Sequence, residues 1–111
     1  MQKYELTEET IIHDGRTLHR IKRLSDGKLG GFIEKESNLS QEGNCFISDD
    51  AKVYGSAEIY GDAQVFGNAS VHAFARVFDK ASVGDNVDIY GGVEVYDNAK
   101  ISGDCGSYRQ G

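Results

Sequence analysis

The chain has 111 residues, 12 Lys and Arg against 18 Asp and Glu for a net charge of −6, and 14 Gly with no Pro. That length supports one domain with a modest core and excludes two independent globular cores. The absence of a long apolar run or a basic-then-apolar leader excludes a helical membrane span and predicts a cytoplasmic location, while many glycines without proline predict tight turns and an all-β fold.

Residues 1–44 read as an antiparallel β meander. Asp14-Gly15 separates Thr10–His13 from Arg16–Leu24, and Asp26-Gly27 precedes Leu29–Ile33, so two hairpin turns join three strands. Arg16, His19, Arg20, Lys22, Arg23 and Lys28 make a basic stretch that reads as a solvated strand face. The meander is expected to cover the N-terminal edge of whatever follows, because an open sheet edge offers unpaired backbone groups to other chains.

From residue 45 to 104 the chain is periodic. Cys45-Phe46-Ile47-Ser48-Asp49-Asp50 is the first of ten uninterrupted six-residue repeats. The first slot holds Cys45, Ala51, Ala57, Ala63, Ala69, Ala75, Ala81, Val87, Val93 and Ala99, and the third holds only Ile or Val. Two apolar residues flanking one polar residue form a short strand with both apolar side chains on one face, and the next residues must turn. Gly, Asp, Asn and Ser fill most of those turns, as sharp corners require; Ala73-Phe74 and Asp79-Lys80 depart. A helix needs three- and four-residue apolar spacings, so helix is excluded and a β-solenoid is predicted. The six-residue period alone leaves its hand and number of sides open.

The repeat resembles the hexapeptide-repeat left-handed β-helix superfamily, most closely at Val83-Gly84-Asp85-Asn86-Val87-Asp88-Ile89. A longer likeness runs through Lys3-Tyr4, Leu6, Leu18 to Leu24, Gly30-Gly31-Phe32-Ile33 and Asn38 to Ile47 into the Tyr-Gly hexads; it resembles a shortened member of the YdcK-like acetyltransferases and the phage-type Tyr-Gly hexad proteins. The resemblance implies a triangular left-handed parallel β-helix of 18 residues per coil, so the hexads make about three coils, in the cytoplasm of a bacterial or phage-infected cell.

With 18 residues per coil the fourth slot, expected on the outside beside each corner, stacks Tyr54, His72 and Tyr90 in one row and Tyr60, Phe78 and Tyr96 in another; Phe66 lies between Ser48 and Gly84. Such rows are explained by stacking between coils, at about 0.5 to 1.5 kcal/mol per pair, or by an aromatic face for a partner. Phe74 should project from its corner, and Glu58, Arg76 and Glu94 should form a charge ladder. His72 is the sole solenoid histidine; hexapeptide acyltransferases use a histidine base with acyl-CoA between subunits, but they build the substrate pocket from a protruding loop or C-terminal extension that this chain lacks. Cys45 and Cys105 lie three coils and one side apart, roughly 15 Å at about 4.8 Å per coil, beyond the ~7 Å limit for a disulfide. No His or Cys cluster has metal-ligand spacing, and no cofactor is expected.

Residues 105–111 read as a short polar tail, leaving the last coil to be covered by a partner or a second copy. The expected function is therefore a non-enzymatic interaction module, homodimeric or homotrimeric, that binds a protein through Tyr54, Tyr60, Phe66, His72, Phe74, Phe78, Tyr90 and Tyr96 with Asp62, Asp88 and Glu94. The acidic solenoid half argues against direct nucleic-acid binding; one version is a phage or mobile-element inhibitor that occludes a basic groove of a host defence or nucleic-acid-handling protein. The alternatives are an acyl-CoA-dependent acyltransferase with His72 as base, and a purely structural assembly module.

Overall fold

The computed structural model describes residues 2–102 and the backbone of Ser107–Tyr108. Three strands form the meander: β1 (Tyr4–His13), β2 (Arg16–Arg23) and β3 (Leu29–Ile33). A single 3-10 turn at Glu36–Asn38 follows. Two-residue strands then recur: β4 (Phe46–Ile47), β5 (Lys52–Val53), β6 (Glu58–Ile59), β7 (Gln64–Val65), β8 (Ser70–Val71), β9 (Arg76–Val77), β10 (Ser82–Val83), β11 (Asp88–Ile89), β12 (Glu94–Val95), β13 (Lys100–Ile101) and β14 (Ser107–Tyr108).

These strands stack in parallel on three faces. One face runs β1-β2-β3-β5-β8-β11-β14, the second β6-β9-β12 and the third β4-β7-β10-β13. The pairs Lys52↔Ser70, Glu58↔Arg76 and Gln64↔Ser82 fix 18 residues per coil. The first and third slots point inward, and Ala51, Val53, Ala63, Val65, Ala69, Val71, Ala75, Val77, Ala81, Val83 and Ile89 are all fully buried. At about 25 cal/mol per Å² of apolar surface, this continuous seam is the main stabilising term, since no coil encloses a core alone.

The corners obey one backbone rule. The fifth slot has positive φ at Asp49, Gly55, Gly61, Gly67, Ala73, Asp79, Asp85, Gly91 and Asp97. Gly adopts this conformation without a Cβ clash, and Asp tolerates it through local side-chain bonds. Asp49 Oδ2 accepts from the Gly67 amide at 3.0 Å and Asp79 Oδ2 from the Asp97 amide at 3.1 Å, so these side chains also bond one coil to the next.

The meander is continuous with the solenoid. β1 and β2 are antiparallel, joined by the Asp14-Gly15 turn with φ of 53° and 74°, and β2 pairs antiparallel with β3. β3 then pairs in parallel with β5, and Leu39 bridges Ile59, so β3 and Leu39 supply two sides of the first coil. Four coils are therefore stacked, where the hexads alone suggest three. Phe32 aligns with Lys52 and Leu39 with Ile59, twenty residues on, whereas Phe46 aligns with Gln64, eighteen on; the two extra residues lie in the loop between Leu39 and Phe46. Tyr4 and Ile21 close the end of the core, and the Tyr4 hydroxyl donates to Leu39 O at 2.5 Å.

At the other end β14 pairs with β11, Ser107 opposite Asp88, so the strand returns after one residue more than the hexad period. Cys105, the Gly103-Asp104 corner and the remainder of the 105–111 tail lie outside the described residues. Cys45 is a buried free thiol. No helix among the described residues is long and apolar enough to cross a membrane.

Candidate functional site

The tip of the β1–β2 hairpin folds down beside the corner that carries Gly55-Ser56 and Ala73-Phe74, and the space between them is a cleft of about 490 Å³. Asp14, Arg16, Lys35, Tyr54, Gly55, Ser56, His72, Ala73 and Phe74 line it. The hairpin reaches this corner because β2 and β3 are hydrogen-bonded onto the same face as β5 and β8. A second apolar cluster holds it there: Leu18 from β2, Phe32 from β3 and Tyr54 beside β5, with Ile11 against them.

Tyr54 is accordingly only 4% exposed. The expectation that the fourth slot faces outward fails at this residue, because the hairpin covers it; what remains exposed of it lines the cleft. Its hydroxyl donates to Asp14 Oδ2 at 2.9 Å. Burial, reinforced by that bond, raises its pKa well above the usual phenol value.

His72 stacks between Tyr54, at 4.8 Å between ring centroids, and Tyr90, at 5.6 Å. Its Nε2 lies 2.8 Å from Asp88 Oδ1. The β1–β2 hairpin supplies one wall beside this histidine, and Asp88, sixteen residues on, orients the ring. The pairing links adjacent coils, since Asp88 stands opposite Ser70.

The cationic side chains of the cleft are partly matched. Arg16 bonds both Glu34 oxygens at 3.0 and 3.1 Å, and Glu34 Oε1 also accepts from the Gly55 amide at 2.8 Å. Burial would raise the Glu34 pKa, but the Gly55 amide and Arg16 outweigh it and hold the carboxyl below its ordinary value. The other arginines of the basic stretch are also engaged: Arg20 bonds Glu9 and Asp50 and lies 4.3 Å from the Phe32 ring centroid, and Arg23 bonds Asp26. Arg23 and the Lys28 amide draw the Asp26 pKa down to about 2.

Asn38 braces Gly55 of the cleft wall from within and carries no sequence assignment. It is fully buried; its Oδ1 accepts from the Glu34 and Lys35 amides, and its Nδ2 donates to Gly55 O and Ala57 O. A buried-position signal was available only in its place just before Leu39, between two solenoid sides.

The remaining candidates are distributed over the prism. Tyr60, Phe78 and Tyr96 stack at 4.9 and 5.5 Å with nearly parallel planes, so this row has a structural role whatever else it does. Tyr96, at 48%, is its most exposed member. Phe66 lies over Gly84, where an added Cβ would collide with the ring. Asp62 Oδ1 accepts from the Asn44 amide at 3.2 Å, and Glu94 and Glu58 flank Arg76 at 4.0 and 3.6 Å. Phe74 has no such partner row: it projects from its corner, 72% exposed. Among the described residues no cluster of three His, Cys, Asp or Glu is arranged to hold a metal ion.

Compared with known proteins, the chain matches no protein-family model and no curated protein.

Proposed function

We propose that this chain is a non-enzymatic β-solenoid interaction module that binds a protein partner at the corner carrying Phe74. The supporting observation is Phe74 itself, a large apolar side chain 72% exposed at a position where the neighbouring coils have Ser56 and Gly92. Solvent gives no reason for it, whereas burying a phenyl ring at an interface contributes about 1.5–3 kcal/mol. The likeness to phage-type Tyr-Gly hexad proteins adds one concrete version, an inhibitor of a host defence or nucleic-acid-handling protein. Its acidic corners, Asp62 with Asp79 and Asp97 and Asp49 with Asp85, would then face a basic groove. The test is capture from host lysate followed by sizing. A stoichiometric complex should survive with the natural chain and be lost in Phe74→Ser; a complex indifferent to Phe74 and to charge reversal at Asp62, Asp88 or Glu94 would sink the reading.

One observation favours a second reading, the YdcK-like acyl-CoA-dependent acyltransferase. With Nε2 of His72 held by Asp88, Nδ1 is left to take a proton from an acceptor hydroxyl or amine. The acceptor would attack the thioester carbonyl, and the departing CoA thiolate would recover the proton. Acyl-CoA turnover that disappears in both His72→Asn and Asp88→Asn, with the coils intact by circular dichroism, would displace the first reading.

A further inference from the structure

We infer that the partner at the Phe74 corner is a second copy of this chain, paired about a two-fold axis so that each Phe74 enters the other's cleft. The inference rests on the interaction-module reading and adds the identity and geometry of the partner.

Three observations lead to it. Knob and hole occupy the same corner: among the described residues Phe74 is the most exposed large apolar side chain of the solenoid, and it is also part of the cleft wall. A surface with both complementary parts side by side satisfies both contacts at once when two copies meet about a two-fold axis, and the assembly then closes as a dimer. The cleft also suits the ring. A cavity of about 150 Å³ already accepts benzene, and this open cleft of about 490 Å³ offers His72 and the cationic groups of Arg16 and Lys35, which favour an aromatic face.

The charge distribution selects a copy of the same acidic chain. At net charge −6 self-association is opposed, yet the acid is unevenly placed. One corner carries Asp49, Asp50 and Asp85 and another Asp62, Asp79 and Asp97, whereas the corner of Phe74 is built from Gly55-Ser56, Ala73-Phe74 and Gly91-Gly92, and the carboxylates beside it are matched: Glu34 by Arg16 and the Gly55 amide, Asp14 by the Tyr54 hydroxyl and Asp88 by His72. Repulsion between copies is therefore least here. The small residues beside Phe74 let a neighbouring backbone approach, and a Cβ at Gly92 would meet nothing within 4 Å.

Sedimentation equilibrium of the full chain at neutral pH and moderate salt tests this. A dimer is expected, and Phe74→Ser should weaken it about tenfold or more. Ser56→Arg, which fills the cleft from its rim, should weaken it comparably with Phe74 intact. Mixed in equal amounts, the two variants should form a heterodimer tighter than either homodimer, because one Phe74 then meets one open cleft. A chain monomeric throughout, or a dimer that neither substitution affects, overturns the inference. If that monomer still captures a different protein through Phe74, only the self-pairing fails and the module reading stands. Circular dichroism of both variants keeps misfolding from mimicking dissociation.

Discussion

The Tyr54 hydroxyl donates to Asp14 Oδ2 at 2.9 Å, fastening the tip of the hairpin to a coil forty residues further along the chain. His13 adds an edge-on contact to the same ring at 5.3 Å between centroids. The mouth of the cleft is defined by this attachment, so its strength decides how firmly the cleft is formed.

Tyr54→Phe removes the bond but leaves the ring among Leu18 and Phe32. Because the Asp14 side chain is 65% exposed, its carboxylate regains water, and the cost should be only about 0.5–1.5 kcal/mol. Hydrogen exchange by mass spectrometry should show faster exchange at residues 13–17 and unchanged protection in β8 to β11. Uniformly faster exchange across the coils would show that the bond supports the solenoid as a whole.

The two buried phenols predict alkaline instability. Tyr4 is raised by burial and by nearby Glu36, and Tyr54 by burial and by Asp14, both far above the ordinary value of 10.0. An unfolded chain releases these protons near pH 10 while the folded chain retains them, so the contribution is fully present below about pH 10 and declines as pH rises beyond it. Denaturation midpoints should be flat from neutral pH to about 9 and then fall. Tyrosinate absorbance should show at least two phenols ionising only as the protein unfolds, and in Tyr4→Phe with Tyr54→Phe the alkaline decline should flatten.

Asn38 predicts a large loss from a single side chain. Two of its four hydrogen bonds, from Nδ2 to Gly55 O and Ala57 O, join the first coil to the Gly55 corner of the next, and the two to Oδ1 hold the Glu34 and Lys35 amides. Asn38→Leu leaves buried amides and carbonyls without partners, at about 1–3 kcal/mol for each group that water cannot reach. A decrease of about 3 kcal/mol or more in urea denaturation is expected. Asn38→Asp should recover little, since a carboxylate accepts from Glu34 and Lys35 but cannot donate to Gly55 O or Ala57 O.

The solenoid was legible because its rule is linear: a core residue at slots one and three can be counted without knowing what it touches. The stacking partners followed from the same arithmetic, and His72 does lie between Tyr54 and Tyr90. The cleft did not follow, because it depends on where the hairpin lands. Leu18 and Phe32 sit on the opposite strand face from Ile21 and Ile33, and both faces are buried. Apolar residues on both faces of a short meander signal a sheet covered on two sides, not a simple lid. What they pack against is fixed by the β3–β5 register, which no local pattern encodes. The His72–Asp88 pair is hidden in the sequence for a related reason: it joins a fourth slot to a second slot on the adjacent coil, so no single column of slots displays it.

Gly84 and Ala73 separate the two reasons a coil position takes a small residue. Gly84 does not have positive φ; its small size accommodates the Phe66 ring lying across it. Ala73 has φ of 62°, in a corner slot otherwise held by Gly or Asp. Gly84→Ala should therefore cost about 1–2 kcal/mol by displacing Phe66, which is 37% exposed and free to swing outward. In a Phe66→Ala background the same substitution should cost close to nothing, and the coupling in that double-mutant cycle measures the ring contact. Ala73→Gly should act in the other direction. Relief of a left-handed alanine, about 1–2 kcal/mol, exceeds the added freedom of the unfolded chain, about 0.5–1 kcal/mol, so a net gain of about 0.5–1 kcal/mol in thermal or urea unfolding is expected. A loss at Ala73→Gly would mean that its methyl, on the cleft wall beside Phe74, contributes packing worth more than the strain it imposes.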